Sequence, residues 1–115
     1  MGATRINTYK QFDSVAVSGT NTYTSISSHI GQMHNLAFQV IFTGTMSGTL
    51  QILFSNDNVN FTPWTFSPAL TQPTGSALSY LVNMSLMAFP YVQVKYTNAS
   101  GSGTMSVSMT SKDLS

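Results

Sequence analysis

From Leu36 onward the chain alternates apolar and polar residues, and almost nothing in it repeats at the period of a helix. Leu36, Phe38, Val40 and Phe42 share one parity, with Ala37, Gln39, Ile41 and Thr43 on the other. Leu50, Ile52 and Phe54 alternate with Thr49, Gln51 and Leu53, and Leu78, Tyr80, Val82, Met84 and Leu86 with Ser79, Leu81, Asn83 and Ser85. Val92, Val94 and Tyr96, and then Met105, Val107 and Met109, continue the pattern. Period two means strands with one face on a core. Thr, Val, Tyr, Phe and Ile also suit a pleated surface. The predicted core is therefore Leu36, Phe38, Val40, Phe42, Leu50, Ile52, Phe54, Val82, Met84, Val92, Val94 and Val107.

The first thirty residues alternate poorly. Ile6 to Phe12, Val15 to Ser18 and Tyr23 to Ile30 read as extended pieces, with a turn at "SGTN", Ser18 to Asn21. Phe61 to Phe66 reads as a short strand that Pro63 confines to an edge, and Ser67 to Gly75 reads as a loop. The count is about eight strands. The expected fold is all-β, a single antiparallel β-sandwich, with a jelly roll as one winding that fits. Residues 1–30 are expected to be an extended, strand-like segment that makes contacts, and 31–115 the sandwich core.

Two stretches echo each other. "QVIFTGTMSGTLQI" from Gln39 and "QVKYTNASGSGTMSV" from Gln93 both read Gln-Val-x-aromatic-Thr, then a small-residue turn, then Ser-Gly-Thr and alternating apolar residues. Both are expected to be hairpins.

Charge restricts the function classes. Charged residues make up 6% of the 115, against roughly 25% in a typical soluble domain. Glu is absent, and the acids are Asp13, Asp57 and Asp113. So sparse a charge suits a subunit packed in an assembly better than a free monomer. The four bases are scattered, which leaves no footprint for nucleic acid. No apolar run is long enough for a membrane-spanning helix, and no secretory signal is visible at the N-terminus. Without cysteine there is neither a disulfide nor a thiolate metal site.

"SNDN", Ser55 to Asn58, offers one carboxylate where a calcium loop wants several. Asn and Asp also favour turns, so a turn is expected. His29 and His34 flank Gly31 with no acid nearby in sequence, and zinc needs three or four ligands. There is no nucleophile elbow, P-loop or dinucleotide fingerprint. No catalytic residue, metal or cofactor is expected, and the chain is not expected to be an enzyme. Trp64 and Tyr91 are the best candidates for exposed aromatics, the kind that stack on sugars. Leu81 and Met87 share a strand parity with Ser79, Asn83 and Ser85, a face suited to a subunit contact. The other methionines of the strands are expected to fill the core.

The segments "FTGTMSGTLQILFSNDNVNFTPW" from Phe42 and "YLVNMSLMAFPYVQVKYTNASGSGTMSVSMTSKDL" from Tyr80 resemble a small β-sandwich found in virion proteins of tailed and tailless bacteriophages. Asn58 stands where that pattern usually has Gly, and Phe61 where it has Trp, with Trp64 three residues later. The resemblance implies a structural protein of a phage particle: a capsid decoration or minor capsid protein, a spike, or a neck subunit. It implies no catalytic residues, and the expected mode of action is self-association and docking on other virion proteins; the low charge, the absence of cysteine and the Ser, Thr and Asn content fit a chain made in the bacterial cytoplasm. The alternative is a carbohydrate-binding sandwich that adheres to a host glycan.

Overall fold

The computed structural model describes residues 6–30, 35–65, 72–75, 77–84 and 89–112. They form nine strands: β1 Ile6–Val17, β2 Thr22–Thr24, β3 Ser28–His29, β4 Asn35–Gly44, β5 Ser47–Ser55, β6 Thr62–Pro63, β7 Leu78–Met84, β8 Tyr91–Ser100 and β9 Gly103–Lys112. One sheet has the order β1-β9-β4-β7 and the other β2-β8-β5-β6, with β3 also on β8. Because β2 and β3 are two pieces laid along the same strand, the architecture has eight strand positions. All pairings are antiparallel, and their nesting is regular. β1 pairs with β9, β2 and β3 with β8, β4 with β7, and β5 with β6. The fold is a β-sandwich, as the alternation predicted.

The core follows strand parity. All twelve predicted residues are buried, joined by Phe12, Val17, Ile30, Met46, Tyr96, Met105 and Met109. Met46, Met84, Met105 and Met109 fill the interior as expected. Residues 6–30 are extended and woven into both sheets: β1 lies on β9, β2 and β3 lie on β8, and Phe12, Val17 and Ile30 join the core. Of the short strand expected over Phe61 to Phe66, the described residues form Thr62–Pro63, which does lie at a sheet edge, and Phe66 lies outside the described residues.

The two echoing stretches are not hairpins. β4 and β5 lie in different sheets, and so do β8 and β9. Each stretch is an arch that carries the chain from one sheet to the other. The arches pack together: β4 pairs with β9, β5 pairs with β8, and Thr45 N donates to Ser102 O at 3.0 Å between the bends. This places equivalent residues around a local pseudo-twofold axis. Phe42 and Tyr96, which match in the echo, meet across the core with ring centroids 5.1 Å apart. Gly48 and Gly103 also match. A Cβ on Gly48 would overlap the Thr97 carbonyl oxygen, and one on Gly103 would overlap that of Thr43. Thr97 and Thr43 match in their turn. The repeated Ser-Gly-Thr thus records a close backbone approach made twice. Turn chemistry alone did not separate an arch from a hairpin.

Tyr80, on the inner parity of the edge strand β7, carries a hydroxyl with no hydrogen-bond partner among the described residues. Burial pushes this phenol up to about 12 from 10.0. Between those values the unfolded chain releases the proton while the folded chain keeps it, so stability falls as pH rises through the interval. Tyr80→Phe is expected to stabilise the fold by about 1 kcal/mol at neutral pH by removing an orphaned polar group. It is also expected to flatten the alkaline fall. Urea unfolding at both ends of the pH range checks this, and a Tyr80→Phe protein less stable at neutral pH would refute it.

Candidate functional site

β5 runs out at Ser55, and the chain turns back to the edge strand β6. Polar side chains in the turn satisfy its backbone. The buried Ser55 Oγ accepts from Asp57 N at 3.1 Å and Asn58 N at 3.0 Å, and donates to Asp57 Oδ1 at 2.8 Å. Asp57 Oδ1 also accepts from Val59 N at 2.9 Å and Asn60 N at 2.8 Å, and Oδ2 accepts from Asn60 Nδ2 at 2.8 Å. The backbone amides of Asn60 and Val59, followed by the Asn60 and Ser55 side chains, hold this carboxyl well below the usual carboxylate range. Asn58 takes a left-handed φ of 60°, a conformation that Asn tolerates better than most residues. The Ser27 hydroxyl bonds Asn58 Oδ1 and ties the turn to the segment between β2 and β3. The run of Asn and Asp is thus a self-bonded turn whose only acid serves as its organiser.

Beside this turn is an aromatic cluster. Trp64 N donates to Ile52 O at 2.8 Å, which continues the β5–β6 ladder and brings the indole to the sandwich edge. Its ring meets Phe54 edge-on at 5.9 Å and Phe89 at 5.9 Å, while Phe54 and Phe89 lie 5.2 Å apart. Phe54 is buried, whereas Trp64 remains 42% exposed. Cluster and turn border one open cleft of about 430 Å³, lined by Phe54, Ser55, Asn56, Asp57, Asn60, Thr62, Pro63, Trp64 and Phe89. Its floor is apolar and its rim carries amides, a hydroxyl and one fixed carboxylate.

The other sequence candidates fall elsewhere. Tyr91 is half-buried and pairs in register with His29 of β3, their rings 5.1 Å apart. It makes no ring contact with the Trp64 cluster among the described residues. Leu81 projects from the outer face of the edge strand β7 and is 75% exposed. Its diagonal neighbour on β4, Ile41, is also exposed, and around them lie Ser79, Asn83 and Gln39. Met87 and His34 lie outside the described residues. Sequence reasoning missed that Phe89 packs on Trp64 and that Asn60 lines the same cleft. Phe89 is remote from Trp64 in sequence, and Asn60 read only as part of the turn.

A scan against protein-family models finds no match, and neither does a search of curated proteins. Solved structures do match. The structure of the Gx strain of infectious bursal disease virus aligns with a TM-score of 0.62 at 12% identity, covering 97% of this chain and 32% of that one. The VP2 subviral particle of the same virus aligns at 0.59 and 14%, covering 96% and 32%. The SPBc2 prophage-derived protein YomS aligns at 0.60 and 9%, covering 98% and 97%. This chain therefore spans 32% of the length of the bursal disease virus chains and almost all of the prophage-derived one. At these identities the likeness is one of fold, and it bears out the resemblance to small virion β-sandwiches at that level: this chain is similar in fold to part of a virus-particle protein and to a whole prophage-derived protein.

Proposed function

We propose that this chain is a structural subunit of a bacteriophage particle, made in the host bacterial cytoplasm, that associates with copies of itself and docks on other virion proteins. One observation carries most of the weight. The fold matches a prophage-derived protein over almost the full length of both chains, and the same sandwich occurs within the VP2 subviral particle. The nested strand pairing supports a jelly-roll reading. Strands of the first half pair with those of the second in reverse order, as a long hairpin does when it is rolled up. Jelly rolls recur in viral capsids. In this reading the chain is not an enzyme and binds neither nucleic acid nor membrane. A decoration or spike role is the finer form of the proposal.

The surface supports self-association. On the outer face of the β1-β9-β4-β7 sheet, Thr104, Ser106, Ser108 and Thr110 of β9 lie beside Thr43, Ile41, Gln39 and Ala37 of β4. That strip is uncharged and ends at Leu81. A strip without charged side chains and with an apolar edge desolvates cheaply against a copy of itself, and the exposed pair Lys10 and Asp13 of β1 lies at its other margin. We expect the purified chain to sediment as a discrete multimer and to co-sediment with particles from cells expressing a tagged copy. Leu81→Arg is expected to lower self-association by at least about tenfold, because a charge buried in an interface is costly. A folded monomer at every concentration, absent from purified particles, would overturn the proposal.

A further inference from the structure

We infer that the cleft between the Ser55–Asn60 turn and Trp64 is a binding site for a neutral saccharide. The inference goes beyond the structural role and does not depend on it. Phe54, Phe89 and Trp64 lie 5.2–5.9 Å apart, in contact with one another. Rings so close leave no gap for a methylated ammonium group, which needs aromatic faces standing apart around it. Instead, Phe54 and Phe89 buttress the indole, and Trp64 offers a surface fixed before any ligand arrives. The apolar C–H face of a pyranose packs on such a surface.

The rim supplies the polar half of the recognition. Asp57 Oδ2 takes one hydrogen bond, from Asn60 Nδ2, and keeps acceptor capacity. Asn60 Oδ1 and the Asn56 amide have no partner among the described residues, and the Thr62 hydroxyl lies alongside. A carboxylate held ionised by its own turn is a strong acceptor for sugar hydroxyls. Its bonds to the Ser55 and Asn60 side chains and to two backbone amides fix its position without a metal. Among the described residues no Lys, Arg or His lines the cleft, so an acidic sugar or a phosphate would meet a carboxylate with nothing there to neutralise it. The volume of about 430 Å³ falls in the range of small-ligand pockets, roughly 300–1,000 Å³, which is enough for one or two sugar rings.

Trp64 is the only tryptophan in the chain, so its fluorescence reports on this site alone. The test is a titration of the intact protein with glucose, galactose, mannose, N-acetylglucosamine and their short oligomers, followed by that emission and by calorimetry. Sialyllactose and choline serve as charged probes. At least one neutral sugar is expected to give a saturable change. Trp64→Ala, read by calorimetry, is expected to weaken binding by roughly tenfold or more, the scale of one aromatic contact. Asn60→Ala is expected to weaken it as well, with Tyr91→Ala unchanged. Matching circular dichroism spectra show that the variants are folded. The inference is overturned if no neutral sugar binds, if Trp64→Ala binds as well as the parent, or if only choline or sialyllactose binds.

Discussion

Asn98→Leu is expected to destabilise the fold by about 2–4 kcal/mol, because the substitution strands several polar groups in place of one contact. Asn98 is buried in β8, and every polar atom of its side chain is used. Its Nδ2 donates to Gly19 O at 2.7 Å and to Gly101 O at 3.0 Å, while its Oδ1 accepts from the Tyr96 hydroxyl at 2.9 Å. One amide therefore joins the turn after β1, the bend before β9 and a fully buried phenol. Leucine keeps the volume and leaves the Tyr96 hydroxyl without a partner in the core. Against a total stability of roughly 5–15 kcal/mol, that loss is large. Urea unfolding of Asn98→Leu, Tyr96→Phe and the double variant gives the coupling. The double variant is expected to be less destabilised than the sum of the singles, since removing both partners leaves no orphaned hydroxyl. Strict additivity would show that the hydroxyl is not what makes Asn98 costly to lose.

The legibility of the sequence differed from strand to strand for physical reasons. In β4, β8 and β9 the inward parity is nearly unbroken, so burial could be read directly from alternation, whereas β5 also buries Leu53 and Ser55, which alternation places on its outer face. β1 defeats that reading because its register against β9 shifts twice, between Lys10 and Phe12 and again between Phe12 and Val15. Each shift inserts one extra residue, and each reverses the parity. Gln11 and Phe12 are consequently both buried, though adjacent in sequence, and Ser14 takes a positive φ of 50° in the second bulge. A segment that alternates poorly is thus an edge strand with two bulges whose inward residues reach the core. The cleft was half legible. Trp64 beside Pro63 read as a surface aromatic, and Asn58 in the turn took the left-handed conformation its composition suggested. What joins them is the position of Phe89, set by where β8 enters its sheet, and no local pattern encodes that. Tyr91 lies apart from Trp64 for the same kind of reason: its register partner is His29.

Gly103→Ala is expected to leave little or no folded protein. Gly103 opens β9 opposite Gly44, where the two arches cross. The new Cβ would overlap the Thr43 carbonyl oxygen and press on the Met46 terminal methyl at 2.8 Å. The methionine end can swing aside, but the carbonyl belongs to the β4 backbone and can yield only if the β4–β9 ladder moves. That ladder is the centre of its sheet. The same reasoning applies to Gly48, whose Cβ would overlap Thr97 O and meet the Tyr96 hydroxyl at 2.5 Å. Because the sites are equivalent about the pseudo-twofold axis, Gly48→Ala is expected to fail in the same way. Gly19→Ala is the control. Its φ of 61° costs a left-handed alanine roughly 1–2 kcal/mol, but its nearest neighbour, Asn21 Nδ2, is 3.5 Å away, so the variant should fold. Soluble yield and urea midpoints of the three variants decide the matter. Well-folded Gly103→Ala, or a clear difference between the Gly48 and Gly103 variants, would show that the repeated Ser-Gly-Thr has some cause other than paired arches.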